Sequence, residues 1–412
     1  MTTKSTRVLL AAVLLAASAT VALLATPANA ALSLSSAVSN HLQDAEKAMQ
    51  KKDFKAATDA ITAAKGVASR NDLDNYTIAR VELAVDVNNN DMEAAASAAI
   101  LAADSPAAPD KEKAANQKNA LLLTMNTKQY PKAIAYAKLL DTPATTDPQT
   151  LEAIGNAYYF GGDFEDAKKN AQGRIDAATK AGKVPDRNSL MVLLSAQAGL
   201  KDEAGAEDTL EKEVAYYNDP ADWAQIVDVT FGTPGLRDVD AIWLGRLLFL
   251  VGAPVSQNNA NMIGSIAGHL TFFGDAVNAK THGGVLDPDP VPRADADKKT
   301  IAAQIAGEDK ANGTYSAKLS EALYSYAMYP EAEAAAKLAI SKGGNPDASE
   351  APMVLGQAQA SQGKYDDALA TFGTVTGGGP ATARIVRLWV DYVKIKKSPP
   401  VAAAAPATAA AK

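Results

Sequence analysis

An all-α solenoid of about nine helix-turn-helix repeats is the fold class this sequence predicts, on three observations. The first is a recurring phrase in which a small polar turn precedes an aromatic residue, two variable residues and an alanine. It is clearest at Asp53-Phe54-Lys55-Ala56-Ala57, Gln129-Tyr130-Pro131-Lys132-Ala133, Gly162-Asp163-Phe164-Glu165-Asp166-Ala167 and Gly363-Lys364-Tyr365-Asp366-Asp367-Ala368. Looser copies end at Ala95, Ala206, Ala279 and Ala332, with a degenerate one at Ala241, so the anchor alanines lie 38, 38, 34, 39, 35, 38, 53 and 36 residues apart. A period of about 20–50 residues marks a stacked repeat. The second observation is that no strand-like alternation of apolar and polar residues runs for any length. The third is an alanine-dominated composition with only 6 % aromatics, which suits closely packed helices.

Taken in order, the chain opens with a segment separate from the fold. Lys4 and Arg7 form a short positive start, residues 8–25 are almost wholly apolar, and Ala28-Asn29-Ala30 is an A-x-A cleavage site. This predicts a signal peptide over 1–30, cut after Ala30, leaving 382 residues. With zero cysteines there is no lipoprotein anchor, disulfide or thiolate metal site, so a periplasmic or secreted protein of a bacterial envelope is expected. After cleavage 38 basic residues face 47 acidic ones with no basic stripe, which argues against nucleic acid and anionic membranes as partners. The apolar stretch Ile242–Val255 is too short to span a bilayer and contains Arg246, so it reads as a buried helix pair and no membrane insertion is expected after cleavage.

Each repeat can be rebuilt from its residues. Asp147 caps a helix beginning at Pro148, a pairing suited to a helix start. Leu151, Ile154, Gly155 and Tyr158 then recur at three- and four-residue spacing. Gly161-Gly162-Asp163 breaks that helix, and Phe164, Ala167 and Ala171 begin the next. Gly155 and Ala167 are small enough to let the paired helices approach closely. The last unit repeats the plan with Leu355-Gly356, the turn Gln362-Gly363-Lys364, then Tyr365, Ala368 and Phe372.

This pattern resembles the tetratricopeptide repeat (TPR) family, in which a small residue on the first helix faces an alanine on the second. The resemblance covers 31–375 and implies a right-handed superhelix whose first helices line a concave binding face. Residues at the matching offsets are Lys118, Asn156, Tyr159, Ser195, Glu321, Tyr324 and Gln357. Asn156 is suited to bonding the backbone of an extended peptide, while Tyr159 and Tyr324 offer amphipathic contact area. The family's chaperone-binding members use a two-carboxylate clamp of Lys and Asn residues. Only Asn156 matches it, because Leu122 occupies the equivalent position one repeat earlier, so that activity is not carried over.

Three stretches depart from the rhythm. Residues 283–300 carry Pro288, Pro290 and Pro292, which predict an inserted, exposed loop; a helix-like stretch follows at Ile301–Ala306. In the segment around Asn218–Asp240 the turn Gly232-Thr233-Pro234-Gly235 has Trp223 and Trp243 on either side, expected to fill the groove between two helices. Residues 376–397 read as a capping helix with Ile385, Leu388, Trp389 and Tyr392 on one side, and the Ala/Pro tail 398–412 as disordered.

The search for chemistry yields no catalytic residue, metal site or cofactor motif. His41, His269 and His282 are not spaced as a metal pair. Asp86-Val87-Asn88-Asn89-Asn90 starts like a calcium loop but has Asp91 where glycine is needed and Ser97 where glutamate is needed. The expected function is therefore a non-catalytic scaffold binding an envelope protein or an extended peptide. A glycan-binding or polymer-export accessory with Trp223 and Trp243 as sugar platforms is the alternative. A lytic transglycosylase-like envelope enzyme is a further alternative, since some of these have a similar Ala-rich superhelix, although the last repeat is followed by one helix and the Ala/Pro tail where such an enzyme carries its catalytic domain.

Overall fold

A computed structural model of the protein describes residues 33–399; the expected signal peptide and all but the first two residues of the Ala/Pro tail lie outside them. Among the described residues the regular structure is helical throughout, and no helix is long and apolar enough to cross a membrane. The chain is an α-solenoid of helix pairs that divides into two compact units, one ending at Asp202 and the other beginning at Glu203.

The first unit holds the pairs α1 (Ser36–Gln50) with α2 (Phe54–Gly66), α3 (Asp72–Asn88) with α4 (Met92–Ala103), α5 (Asp110–Asn126) with α6 (Tyr130–Leu140), and α7 (Pro148–Phe160) with α8 (Phe164–Lys180), followed by α9 (Arg187–Gly199). Each helix packs on the next in sequence, and the first helices of neighbouring pairs also meet. Polar bonds join successive second helices. Tyr136, the seventh residue of α6, donates to Asp104 at the end of α4 (2.9 Å), and Asn170, the seventh of α8, donates to Asp141 at the end of α6 (3.0 Å).

The anchor alanines Ala57, Ala95, Ala133 and Ala167 are each the fourth residue of a second helix, fully buried. What fixes them is the turn five residues before. Lys52, Asn90, Lys128, Gly162 and Lys201 all have positive φ, as do Thr271, Ala327 and Gly363 in the second unit. In each case the N–H of the following residue reaches back to the carbonyl five residues earlier, as Asp53 does to Ala48 and Asp163 to Tyr158. This is a Schellman ending, which satisfies the orphan carbonyls of the first helix and reverses the chain. The shared turn corrects one anchor. With Thr271 in the left-handed position and Phe272 at the cap, the fourth helical residue is Ala276, not Ala279, and the step from Ala241 is 35 residues.

The expected close approach at Gly155 is not found: a Cβ there would meet its nearest neighbour, Asn170 Oδ1, at an ordinary 3.4 Å. Gly356 is where the backbone must be bare, since a Cβ would lie 2.6 Å from the Phe372 ring.

The second unit contains α10 (Glu203–Tyr217), α11 (Pro220–Phe231), α12 (Asp238–Leu250), α13 (Gln257–His269), α14 (Phe273–Thr281), α15 (Val291–Lys298), α16 (Ile301–Gly307), α17 (Gly313–Ser325), α18 (Tyr329–Lys342), α19 (Glu350–Ser361), α20 (Tyr365–Phe372) and α21 (Gly379–Lys397). Two expectations are corrected here. The 283–300 insertion is not all loop, because Pro290 precedes α15 and Pro292 lies in its first turn, where no backbone N–H is needed, and Ala294 is buried. The helix expected to cap the last repeat does more than that. α21 packs on α20, and also on α10, α11, α12 and α19, so the last helix of the unit meets its first three. Trp389 Nε1 donates to the Trp243 carbonyl (3.1 Å), Thr382 to Asp240 (2.9 Å), and Arg387 pairs with Glu211 (2.8 Å).

Within that closure lies α12, whose residues Asp240 to Leu248 are all buried. A helix buried on every side must be apolar all round, and Ala241-Ile242-Trp243-Leu244-Gly245 meets that demand.

The repeated turn yields a stability prediction. A β-branched residue is poorly suited to positive φ, where glycine is at ease. Thr271→Gly is expected to stabilise the second unit by about 1 kcal/mol. The urea midpoint followed by tryptophan fluorescence checks this, all three tryptophans lying in that unit; an unchanged or lower midpoint would contradict it.

Candidate functional site

The positions expected to line a binding face separate into two groups. In the first unit, Lys118 on α5, Asn156 and Tyr159 on α7, and Ser195 on α9 are all half-buried. Lys118 Nζ is 2.7 Å from Asp147 Oδ2 at the start of α7. That bond and those from Thr150 hold the Asp147 carboxyl down at about 2. The Tyr159 ring lies 4.9 Å from Phe160 and 6.4 Å from Phe164. Phe160 stacks in turn on Tyr130 at 6.1 Å and is 55 % exposed. This surface aromatic group was missed from sequence, where Phe160 looked like the last residue of a helix before its Gly-Gly turn.

In the second unit the equivalent positions are closed, which corrects three of the candidates. Glu321 on α17 and Gln357 on α19, which occupy the same register as Asn156, are fully buried, and Tyr324 nearly so. The cause is α12. Trp243 Nε1 donates to Glu321 Oε1 at 2.8 Å, and Arg246 Nη1 donates to Glu321 Oε2 at 2.5 Å and to Gln357 Oε1 at 3.1 Å. Positions nominated to receive a partner thus receive a helix of their own chain. Trp223 and Trp243 are equally enclosed, Trp223 bonding Asn218 at 2.9 Å, so neither indole presents a sugar platform.

Arg246 is the centre of this group. Its Nε and Nη2 grip the Asp275 carboxylate of α14 (2.6–3.2 Å), and Nη2 also donates to the Glu321 carbonyl at 3.2 Å. Its guanidinium lies 4.5 Å from the centre of the Tyr324 ring, a cation–π contact in a dry setting. One guanidinium therefore serves two buried carboxylates, which leaves an excess of negative charge. Burial pushes Glu321 up to about 7, against the pull of Arg246 and with Glu350 adding to the rise, and burial also raises Asp275.

Beside this centre a cleft of about 450 Å³ opens between α12, α14, α15 and the turn from α17 to α18. Arg246, Asp275 and Tyr324 form part of its wall, together with Phe249, Asn278 and His282. Phe249 stacks on His282 at 4.3 Å. Among the described residues no group of three or more His, Cys, Asp or Glu is placed to hold a metal ion.

No protein-family model and no curated protein matches the sequence. Among solved structures 25 chains match. One belongs to the structure of Naa15/Naa10 bound to HypK-THB, at 12% sequence identity over 84% of this chain and 70% of that chain, with a TM-score of 0.26. At that score the likeness carries no argument, and the fold assignment rests on the helix pairs and their shared turn.

Two outcomes follow from the buried centre. Arg246→Met strands two carboxylates and is expected to destabilise the second unit by about 3–5 kcal/mol, read from urea unfolding. Because the folded state raises the Glu321 pKa, its stabilising contribution is complete below pH 4.5 and is lost as pH rises through about 7. Wild type should therefore lose stability relative to Glu321→Gln across that window, by roughly 1–3 kcal/mol. A pH-independent difference between the two proteins would show that Glu321 stays ionised.

Proposed function

We propose that this protein is an exported, non-catalytic helical-repeat scaffold that binds a polypeptide of another envelope protein across the first-helix face of its N-terminal unit. The observation carrying this reading is the contrast between equivalent positions. Asn156 and Ser195 stay partly open, whereas Glu321 and Gln357 are filled by α12. The second unit thus supplies an internal example of what such a face accepts, namely a helix with its aromatic and polar side chains. Asn156 offers an amide suited to a peptide backbone, and Tyr159 with Phe160 offers rigid aromatic area of the kind that dominates interface energetics. Stacked helical repeats use such surfaces because a preformed face lowers the ordering cost of binding.

The export component of the proposal rests on the sequence alone: a positive start, an apolar core and an A-x-A site within the first thirty residues. The non-catalytic component rests on the site residues, which are two aromatic rings, an amide, a hydroxyl and a lysine already paired with Asp147. That group lacks an activated nucleophile or a base oriented by a third residue.

The test is photocrosslinking in intact cells from a reactive phenylalanine analogue at Tyr159, with a matched label at the exposed Lys169 on α8. A defined protein adduct from position 159 alone is expected. The purified partner should then bind wild type at least about tenfold tighter than Phe160→Asp, as truncating an aromatic anchor implies. Equal labelling from both positions, or none, would overturn the binding face.

A further inference from the structure

We infer that the cleft beside Arg246 is a binding site for a small uncharged carbohydrate of one or two rings. The inference is independent of the polypeptide reading, since every residue it uses lies in the second unit.

Its volume, about 450 Å³, falls in the range of small-molecule sites. The charged part of the wall is already committed. All five N–H groups of Arg246 have partners: Nε with Asp275, Nη1 with Glu321 and Gln357, Nη2 with Asp275 and the Glu321 carbonyl. No donor is left for an anion, and the guanidinium acts as fixed wall. Asp275 is neutralised by the same bonds, yet its Oδ1 accepts only from Nε and so has room for a hydroxyl donor.

The one further cation is Lys298 on α15. Its ammonium lies 5.2 Å from the centre of the Tyr326 ring and has no carboxylate partner among the described residues. A single exposed lysine is weak recognition for an anion, and it repels an organic cation. With the Arg246–Asp275 pair balanced at the wall and Glu321 not among the residues that line the cleft, neither sign of net charge is favoured there.

The groups left open are uncharged hydrogen-bonding ones. The Asn278 side-chain amide has no partner among the described residues and offers two donors and an acceptor. His282 Nδ1 is 2.9 Å from the Asn278 carbonyl. A carbonyl oxygen only accepts, so the proton sits on Nδ1, and Nε2 of the neutral ring is an acceptor. Donors and acceptors set among flat rings match a sugar, whose hydroxyls both donate and accept and whose C–H faces pack on aromatic surfaces. The stacked Phe249 and His282, 17° from parallel, provide one such surface, and Tyr326 and Tyr329 also line the cleft.

The experiment is isothermal titration calorimetry of the full mature chain with three kinds of probe. These are a panel of neutral disaccharides (maltose, cellobiose, trehalose and chitobiose), galacturonic acid as an anion, and choline as a cation. At least one neutral disaccharide is expected to bind with a Kd on the order of 1 mM. Asn278→Ala and Phe249→Ala should each weaken it about fivefold or more, while Lys298→Ala leaves it within about twofold. The tryptophan-monitored urea midpoint confirms that each variant is folded. Should either fail that check, Asn278→Asp, which keeps the shape and removes the amide donors, takes its place. No neutral sugar binding, binding indifferent to Asn278 and Phe249, or preferential binding of galacturonic acid or choline would overturn the inference.

Discussion

The second unit depends on one guanidinium. Arg246 joins α12 to α14, α17 and α19, partners 29, 75 and 111 residues away in sequence. Burying such a group is costly, and apolar replacements often stabilise a protein as well or better. Its value here is better sought in registration. An all-round apolar helix can slide or rotate within an apolar envelope, but one guanidinium with five committed donors fits in only one place. The surrounding residues are consistent with that role: Trp243 bonds the same Glu321, and Tyr324 covers the guanidinium face.

The repeats themselves depend on a different constraint, a backbone conformation. Eight turns share the same positive-φ position, yet only Gly162 and Gly363 fill it with glycine. The others use lysine, asparagine, threonine or alanine and accept a local cost of about 1 kcal/mol or more. That cost is tolerated because the turn returns the chain onto an alanine five residues later, which is fully buried after every one of them except Lys201, where Ala206 is half-buried, and helix packing more than compensates.

This division explains what could be read from the sequence. The phrase of polar turn, aromatic and alanine marks the turn and the first contact of the second helix, so the pairs were legible wherever those residues were distinctive. At Ala276 they were not. Thr271 gives no sign of a left-handed position, and an alanine three residues further on occupies the same face, so the anchor was placed at Ala279. Long-range events were less legible still. Glu321 and Gln357 look like surface polar residues at a binding offset, and only the arrival of Arg246 from a distant helix shows that they are interior. The arginine was visible inside its apolar run, but its partners lie too far along the chain to be named. Pro290 and Pro292 misled in the opposite direction, since proline forbids a helix interior but suits a helix start. In the first unit Asn156 and Ser195 are half-buried, and the exposed Phe160 is hidden in the sequence by its position at a helix end.

The closure of the second unit by α21 bears on how such a protein can change over generations. An open stack of repeats can lengthen or shorten by whole units, because each repeat touches only its neighbours. Here the final helix bonds back to the opening ones through Trp389, Thr382 and Arg387. A duplicated or deleted pair would carry those three side chains away from Trp243, Asp240 and Glu211 together. The number of repeats in this half of the chain is thus held constant by geometry, and inherited variation is channelled into surface loops such as the one after α14.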